Sequence, residues 1–318
     1  MRPTCHVTAA MVLAAFGAVG CSSTKTPQAN HEATDVAQPA PTSTSAGPAL
    51  APADGEHLKP IAAPAISSSF ADGEAAYHAG KYGEATAIFE NYAARRPKNV
   101  FGHYMVGLSA WKNGDAAKSE KAFEQALSID GSHMKSLVNE SRLFIDQKRY
   151  DDAVDRLTRA STIDPDSSEV LRLLGRTYTA KGDREDAMTA YRAAIEVNEQ
   201  DAWSMNNLGL LLVQAKRADE ALPLFAKAST LRKEVAEFHN NLGMALEHTG
   251  RYKAAAQAYG EALTTNPGYG KAKSNLARVE AVKSGPEEPF DVDLAAKSVQ
   301  PVTKDAGTLV GDHQVGTK

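Results

Sequence analysis

Cysteine, surplus positive charge and long apolar runs are all scarce in this chain of 318 residues. Its two cysteines, Cys5 and Cys21, exclude a disulfide framework and a multi-cysteine metal centre. The 35 Lys and Arg stand against 39 Asp and Glu, a net charge of -4, which excludes nucleic-acid binding by broad phosphate neutralisation. No apolar run reaches the roughly 18 residues that span a bilayer as a helix. Signatures of catalysis are missing too. The nine histidines form no HExxH or other metal-ligand spacing, and no GxSxG or nucleotide fingerprint occurs. The segment Gly268–Lys273 (GYGKAK) lacks the earlier glycine of a phosphate loop, the Ser or Thr after Lys271 and a preceding strand. No enzyme, metal site or cofactor is expected.

The N-terminal segment reads as an address. A short basic start at Arg2 leads into the apolar run Val7–Val19, the length of a signal-peptide core. The run ends in Ala18-Val19-Gly20-Cys21, which resembles the bacterial lipobox, with Ala18 standing where most lipoboxes have Leu. That resemblance implies cleavage of a signal peptide 1–20 and a diacylglycerol on the Cys21 sulfur. Multiple acyl chains would anchor the chain to a membrane. In Gram-negative sorting, Ser22 after the cysteine implies the outer membrane, facing the periplasm. The competing reading is plain secretion with an incidental cysteine. Residues 22–65 hold seven of the chain's 15 prolines among Ala, Ser and Thr. With the cysteine they read as a disordered tether, 21–65, reaching roughly 140 Å at about 3.1 Å per residue. Residues 284–318 share this texture and carry six acids against three lysines, and read as a disordered acidic tail.

Between these segments the chain repeats with a period of 34 residues and no insertion. Six frames (66–99, 100–133, 134–167, 168–201, 202–235 and 236–269) align Gly73, Gly107, Ser141, Gly175, Gly209 and Gly243 at position 8. Position 20 is Ala85, Ser119, Ala153, Ala187, Ala221 and Ala255. Position 24 is Phe89, Phe123, Leu157, Tyr191, Phe225 and Tyr259, and position 27 is Ala in all frames but the first, which has Tyr92. This register resembles the tetratricopeptide repeat, a helix-turn-helix unit of the same length. Small residues at positions 8 and 20 let the two backbones approach, the bulky residue at 24 fills the wedge between them, and Ala at 27 lets the next repeat dock. Gly80, Gly114, Gly182 and Gly250 fall between the paired helices, Pro97, Pro165 and Pro267 follow the second helix, and Pro223 falls in the first turn of one. Position 7 is apolar in most frames but acidic at Asp72 and Glu140, and the first frame is the least typical. Residues 270–283 echo the first-helix pattern with a polar outer face, as a capping helix does. The fold expected is all-α: a right-handed α-solenoid of six repeats plus that cap.

In this family the first helices line a concave groove, into which positions 2, 5, 6, 9, 12 and 13 point. The resemblance therefore implies three zones. Frames one and two offer Tyr77, Phe101, Tyr104, Met105 and Trp111, of which Tyr104 and Met105 are the candidate exposed contacts and Tyr77 and Trp111 read as half-buried packing. Frames three and four offer Lys135, Arg142, Arg172 and Arg176, with Asn139, and frames five and six with the cap offer Asn206, Asn207, Asn240, Asn241 and Asn275, beside Trp203. Asn139, Asn207, Asn241 and Asn275 occupy position 6, where related proteins donate hydrogen bonds to a bound peptide backbone. The alternative is that these asparagines merely belong to the common repeat sequence. Three guanidinium groups converging on one groove suit carboxylate recognition. The partner expected is a protein segment, extended or helical, with an apolar end and an acidic middle, and not nucleic acid.

Taken together, the address and the array resemble the accessory lipoproteins of pilus assembly, of the tight-adherence and type IV pilus families. That resemblance implies a scaffold on the outer side of the envelope that helps assemble a pilus or secretion machine. An adaptor for cell-wall, polysaccharide or β-barrel assembly enzymes is the alternative, differing in partner alone. The frame itself is testable: Gly175→Leu is expected to overpack the helix pair and cost roughly 1–3 kcal/mol, read as a lowered melting temperature.

Overall fold

The computed structural model describes residues 69–282 and 289–299. Those residues form fourteen helices and no strand. The repeats are helix pairs: α1 (Phe70–His78) with α2 (Tyr82–Arg95), α3 (Val100–Lys112) with α4 (Ala116–Ile129), and α5 (Met134–Asp146) with α6 (Tyr150–Ile163). They continue as α7 (Ser168–Lys181) with α8 (Arg184–Val197), α9 (Ala202–Gln214) with α10 (Ala218–Leu231), and α11 (Ala236–His248) with α12 (Tyr252–Thr265). Then come α13 (Gly270–Glu280) and α14 (Val292–Lys297). Each helix packs on the one before it and the one after it from α1 to α13, which makes an all-α solenoid.

The seam of each pair is a glycine set against a ring. A Cβ added at Gly175 would lie 2.6 Å from the Tyr191 ring, and one at Gly209 2.7 Å from the Phe225 ring. The same seat recurs at Gly73 on Phe89, Gly107 on Phe123 and Gly243 on Tyr259. The bulky partner thus occupies the volume the missing side chain vacates. Repeat three has Ser141 in that place, opposite Leu157 rather than a ring, and both are fully buried. Position 20 closes the seam from the other side, where the Ser119 hydroxyl donates to the Gly107 carbonyl at 2.8 Å.

The turns between paired helices need a left-handed residue. Gly80 and Gly114 supply it at φ 74° and 83°, while Lys148 and Lys216 take the same place at φ 60° and 62°. Pro223 sits in the second turn of α10, not the first, because the helix opens at Ala218. There it withholds one N–H from the Asp219 carbonyl.

Both acidic departures at position 7 have a physical reason. Asp72 completes a capping box at the start of α1: its carboxylate accepts from the Ser69 N–H at 2.7 Å and Ser69 Oγ accepts from the Asp72 N–H. Glu140, with no side-chain exposure, accepts from Arg156 Nε at 2.6 Å across the α5/α6 seam. Its other oxygen, Oε1, has no hydrogen-bond partner. Burial raises the Glu140 carboxyl above its ordinary pKa, and the Arg156 guanidinium pulls it back only in part.

The tail read as disordered is ordered in part. Asp291 caps α14 through a 2.9 Å bond from the Leu294 N–H, and the helix lies on α10 with Ala296 buried.

A buried ion pair is rarely more stable than the apolar pair of the same volume. The corresponding residues of repeat four are Leu174 and Ala190. The double variant Glu140→Leu/Arg156→Met, which nearly keeps the pair's volume, is therefore expected to be at least as stable as the parent, whereas Arg156→Ala alone costs about 3–5 kcal/mol. Because its folded pKa is raised, Glu140 stabilises most when protonated, and that contribution declines as pH rises from the ordinary glutamate value of about 4.3 through the raised one. Denaturant midpoints measured across that range are expected to lose this slope in the double variant.

Candidate functional site

First helices of neighbouring repeats touch one another, α3 with α5, α7 with α9, α9 with α11 and α11 with α13. The face they form is the candidate docking surface, and its interior is stitched by side-chain amides. Asn241 Nδ2 donates to Asn206 Oδ1 at 2.8 Å, and Asn275 Nδ2 donates to Asn240 Oδ1 at 3.0 Å. Asn139 makes the equivalent reach to the Tyr104 hydroxyl at 3.2 Å. In each case position 6 of one repeat donates to position 5 of the repeat before it. Asn207, which follows Arg172 rather than an amide at that place, instead accepts from Asn206 Nδ2 at 3.4 Å. Asn139, Asn207, Asn241 and Asn275 are all half-buried. Three of the four therefore hold repeats in register, a role the sequence reading did not assign them.

Tyr104 and Met105 are not exposed contacts. Each is 7% exposed, in the core of repeats one and two. Position 5 faces the following repeat, so Tyr104 is covered by the edge-on His133 ring at 5.4 Å and by Asn139. Burial raises the Tyr104 hydroxyl pKa and lowers that of His133, so both stay neutral near pH 7. Tyr77 and Trp111 are half-buried, and the Trp111 indole donates to Asp146 at 3.1 Å.

The aromatic side chains this face does expose are at position 2: Phe101 at 37% and Trp203 at 44%. Phe101 has the Lys135 ammonium 5.6 Å from its centroid, and Trp203 meets Phe238 edge-on at 4.9 Å. Both belong to groove positions, but the sequence alone gave no reason to rank them above positions 5 and 6. Their place in the first turn, where the next repeat covers them only in part through Lys135 and Phe238, is that reason.

The three arginines do not act alike. Arg142 pairs with Glu169 and donates to Asn139 Oδ1 at 3.3 Å. Arg172 pairs at 2.9 Å with Asp201, which is buried and also caps α9 by accepting from the Ser204 N–H and hydroxyl. Arg176 is exposed and, among the described residues, has no salt-bridge partner. Two of the three charges expected to meet an acidic ligand are thus neutralised by the fold. Among the described residues, no three His, Cys, Asp or Glu are grouped to hold a metal, and no helix is long and apolar enough to cross a membrane. Cys21 lies outside the described residues.

With repeat geometry, seams and face in view, the family is plain. The tetratricopeptide repeat pattern matches residues 70–133, 104–168 and 206–270 in one form and 144–205 in another. The chain belongs to the tetratricopeptide repeat family. The Photosystem I assembly protein Ycf3 of Synechococcus sp. (strain CC9605) is 26% identical over 116 residues, 36% of this chain and 49% of Ycf3. The chain thus spans about half the length of that curated relative. Among solved structures, Pseudomonas aeruginosa pilF is 17% identical with a TM-score of 0.55, over 66% of this chain and 95% of that one. YrrB, described as a TPR protein with an unusual peptide-binding site, is 17% identical with a TM-score of 0.50, over 58% and 96%. These two likenesses concern the fold alone.

Removing the Arg172 side chain strands a buried carboxylate and is expected to cost about 1–3 kcal/mol. Removing that of Arg176 is expected to change stability by no more than about 0.5 kcal/mol. Chemical denaturation of Arg172→Ala and Arg176→Ala separates the structural cation from the free one.

Proposed function

We propose that the protein is a non-catalytic docking scaffold on the outer side of a bacterial envelope, tethered by lipid on Cys21, which helps assemble a pilus or secretion machine. The observation that carries the docking half is the face of the first helices. Three of its four position-6 amides hold repeats together, and it leaves the Phe101 and Trp203 rings and the Arg176 guanidinium open along it. Phe101 in repeat two, Arg176 in repeat four and Trp203 in repeat five suit a protein segment with apolar side chains toward its ends and a carboxylate between them. Aromatic and Arg side chains are the usual anchors of such interfaces. An assembly role agrees with the printed name of the relative Ycf3, and the envelope location rests on the apolar run Val7–Val19 and the lipobox-like Ala18–Cys21. The proline-rich stretch after Cys21 suits a scaffold that works at a distance from its anchor.

Crosslinking pull-down of the full chain from its native envelope tests both halves. Pilus or secretion subunits are expected among the captured proteins, and their recovery is expected to fall at least tenfold for Phe101→Ala/Arg176→Glu/Trp203→Ala. Capture that is unchanged by the triple variant contradicts this docking face. Capture of cell-wall synthases or β-barrel assembly subunits contradicts the pilus reading. Palmitate labelling that persists in Cys21→Ala contradicts the anchor.

A further inference from the structure

The outer face of the second helices carries a feature that the repeat pattern does not require. At position 25, repeats one to three expose Glu90, Glu124 and Thr158, and Arg192 and Gly260 are half-buried. In repeat five the same position is Ala226, with no exposure at all. Positions 22, 25 and 29 of α10 are Pro223, Ala226 and Thr230, and those of α12 are Gln257, Gly260 and Thr264. Each of the four preceding repeats has at least one charged side chain at these positions, such as Lys121, Asp155 or Glu196. Repeats five and six have none, so two adjacent second helices present a continuous uncharged strip.

What covers this strip is the protein's own C-terminal segment. The helix α14 lies on α10 with Ala296 at 6% exposure, and Phe290, Val292 and Ala295 pack against the same core as Ala226. Leu294 points away at 66% exposure. The cover is incomplete. A cavity of about 550 Å³ persists between α10 and α12, with an apolar floor and roof at Leu242, Leu246, Phe290 and Val292 and a polar rim that includes Lys233 and Glu261. The occupant is also weak by construction. A helix of six residues has no stability of its own, and only one of its side chains is buried. Its hold depends on the high effective concentration that covalent linkage supplies.

We propose that the outer face of repeats five and six is a second recognition site, for a short amphipathic helix of a partner protein, and that Phe290–Lys297 fills it as a displaceable mimic. The partner helix presents an aromatic, an aliphatic and two adjacent small side chains in the spacing of Phe290, Val292, Ala295 and Ala296. A further side chain entering the remaining cavity, with an apolar stem on Leu242 and Leu246 and a polar end at the rim, lets it outcompete the tail. This site opens between the second helices α10 and α12 and is separate from position 2 of the first helices, where Phe101 and Trp203 stand.

The test uses the full chain and, as probe, a fluorescent peptide spanning residues 288–300. Releasing the tail with Phe290→Asp/Ala296→Asp is expected to tighten probe binding at least tenfold over the parent. Ala226→Glu in the released chain is expected to abolish it, and Glu is compatible with a folded helix there because Glu90 and Glu124 stand at the same position. Thr230→Glu, which copies Glu196, supplies a second block should the first variant misfold. A probe changed at Leu294 to Ala is expected to bind equally well. Equal affinity for parent and released chains overturns the proposal, as does binding that survives both blocks in folded protein. A concentration-dependent dimer of the parent that Ala226→Glu dissolves places a second copy's tail in the groove and overturns the assignment within one chain.

Discussion

The fold depends on one steric arrangement: a glycine in the first helix of a repeat, with a ring of the second helix standing where its side chain would be. In five of six repeats that ring lies within 3 Å of the Cβ that glycine lacks. Opposite a ring, a larger residue forces the ring or the helices to shift, so the seat sets how closely each pair packs. Everything that faces outward follows from it. Because the seat recurs, position 2 of the first helices from repeat two onward emerges on one face and position 25 of the second helices on the other. Repeat three, with its serine, its leucine and its buried Glu140–Arg156 pair, keeps this geometry with different chemistry.

Two kinds of surface result. On the first-helix side, polar groups are spent on internal cohesion. The asparagines bridge consecutive repeats, Arg172 secures the cap of α9 through Asp201, and Arg142 is matched by Glu169. Recognition is left to a few side chains at wide intervals. On the second-helix side, charged side chains keep most repeats solvated, and only repeats five and six depart from this. There the chain covers itself.

How much of this was legible in the sequence follows from the distance over which each feature is decided. The period, the helix pairs and the glycine–ring seats were legible because each is set within one repeat by residues at fixed spacing. The seating of Tyr104 and Met105 was not, since the neighbours that bury Tyr104, His133 and Asn139, belong to the end of its own frame and to the next one. Nor was the pairing of Arg172 with Asp201, 29 positions away at the far end of its own frame, where Asp201 also caps the first helix of the next repeat. For α14, a cap at Asp291 and alternating apolar residues were present, but a six-residue helix leaves little pattern among prolines and acids. Its docking was foreshadowed only by Ala226, whose significance appears once the six repeats are compared at position 25.

That the two faces have different uses is best examined by placing a photo-crosslinking amino acid at single sites in the full chain, in its native envelope. The account predicts adducts to a common partner from positions 101 and 203 and none from position 158, which faces outward on repeat three. Adducts from position 158 alone, or different partners at 101 and 203, would contradict it.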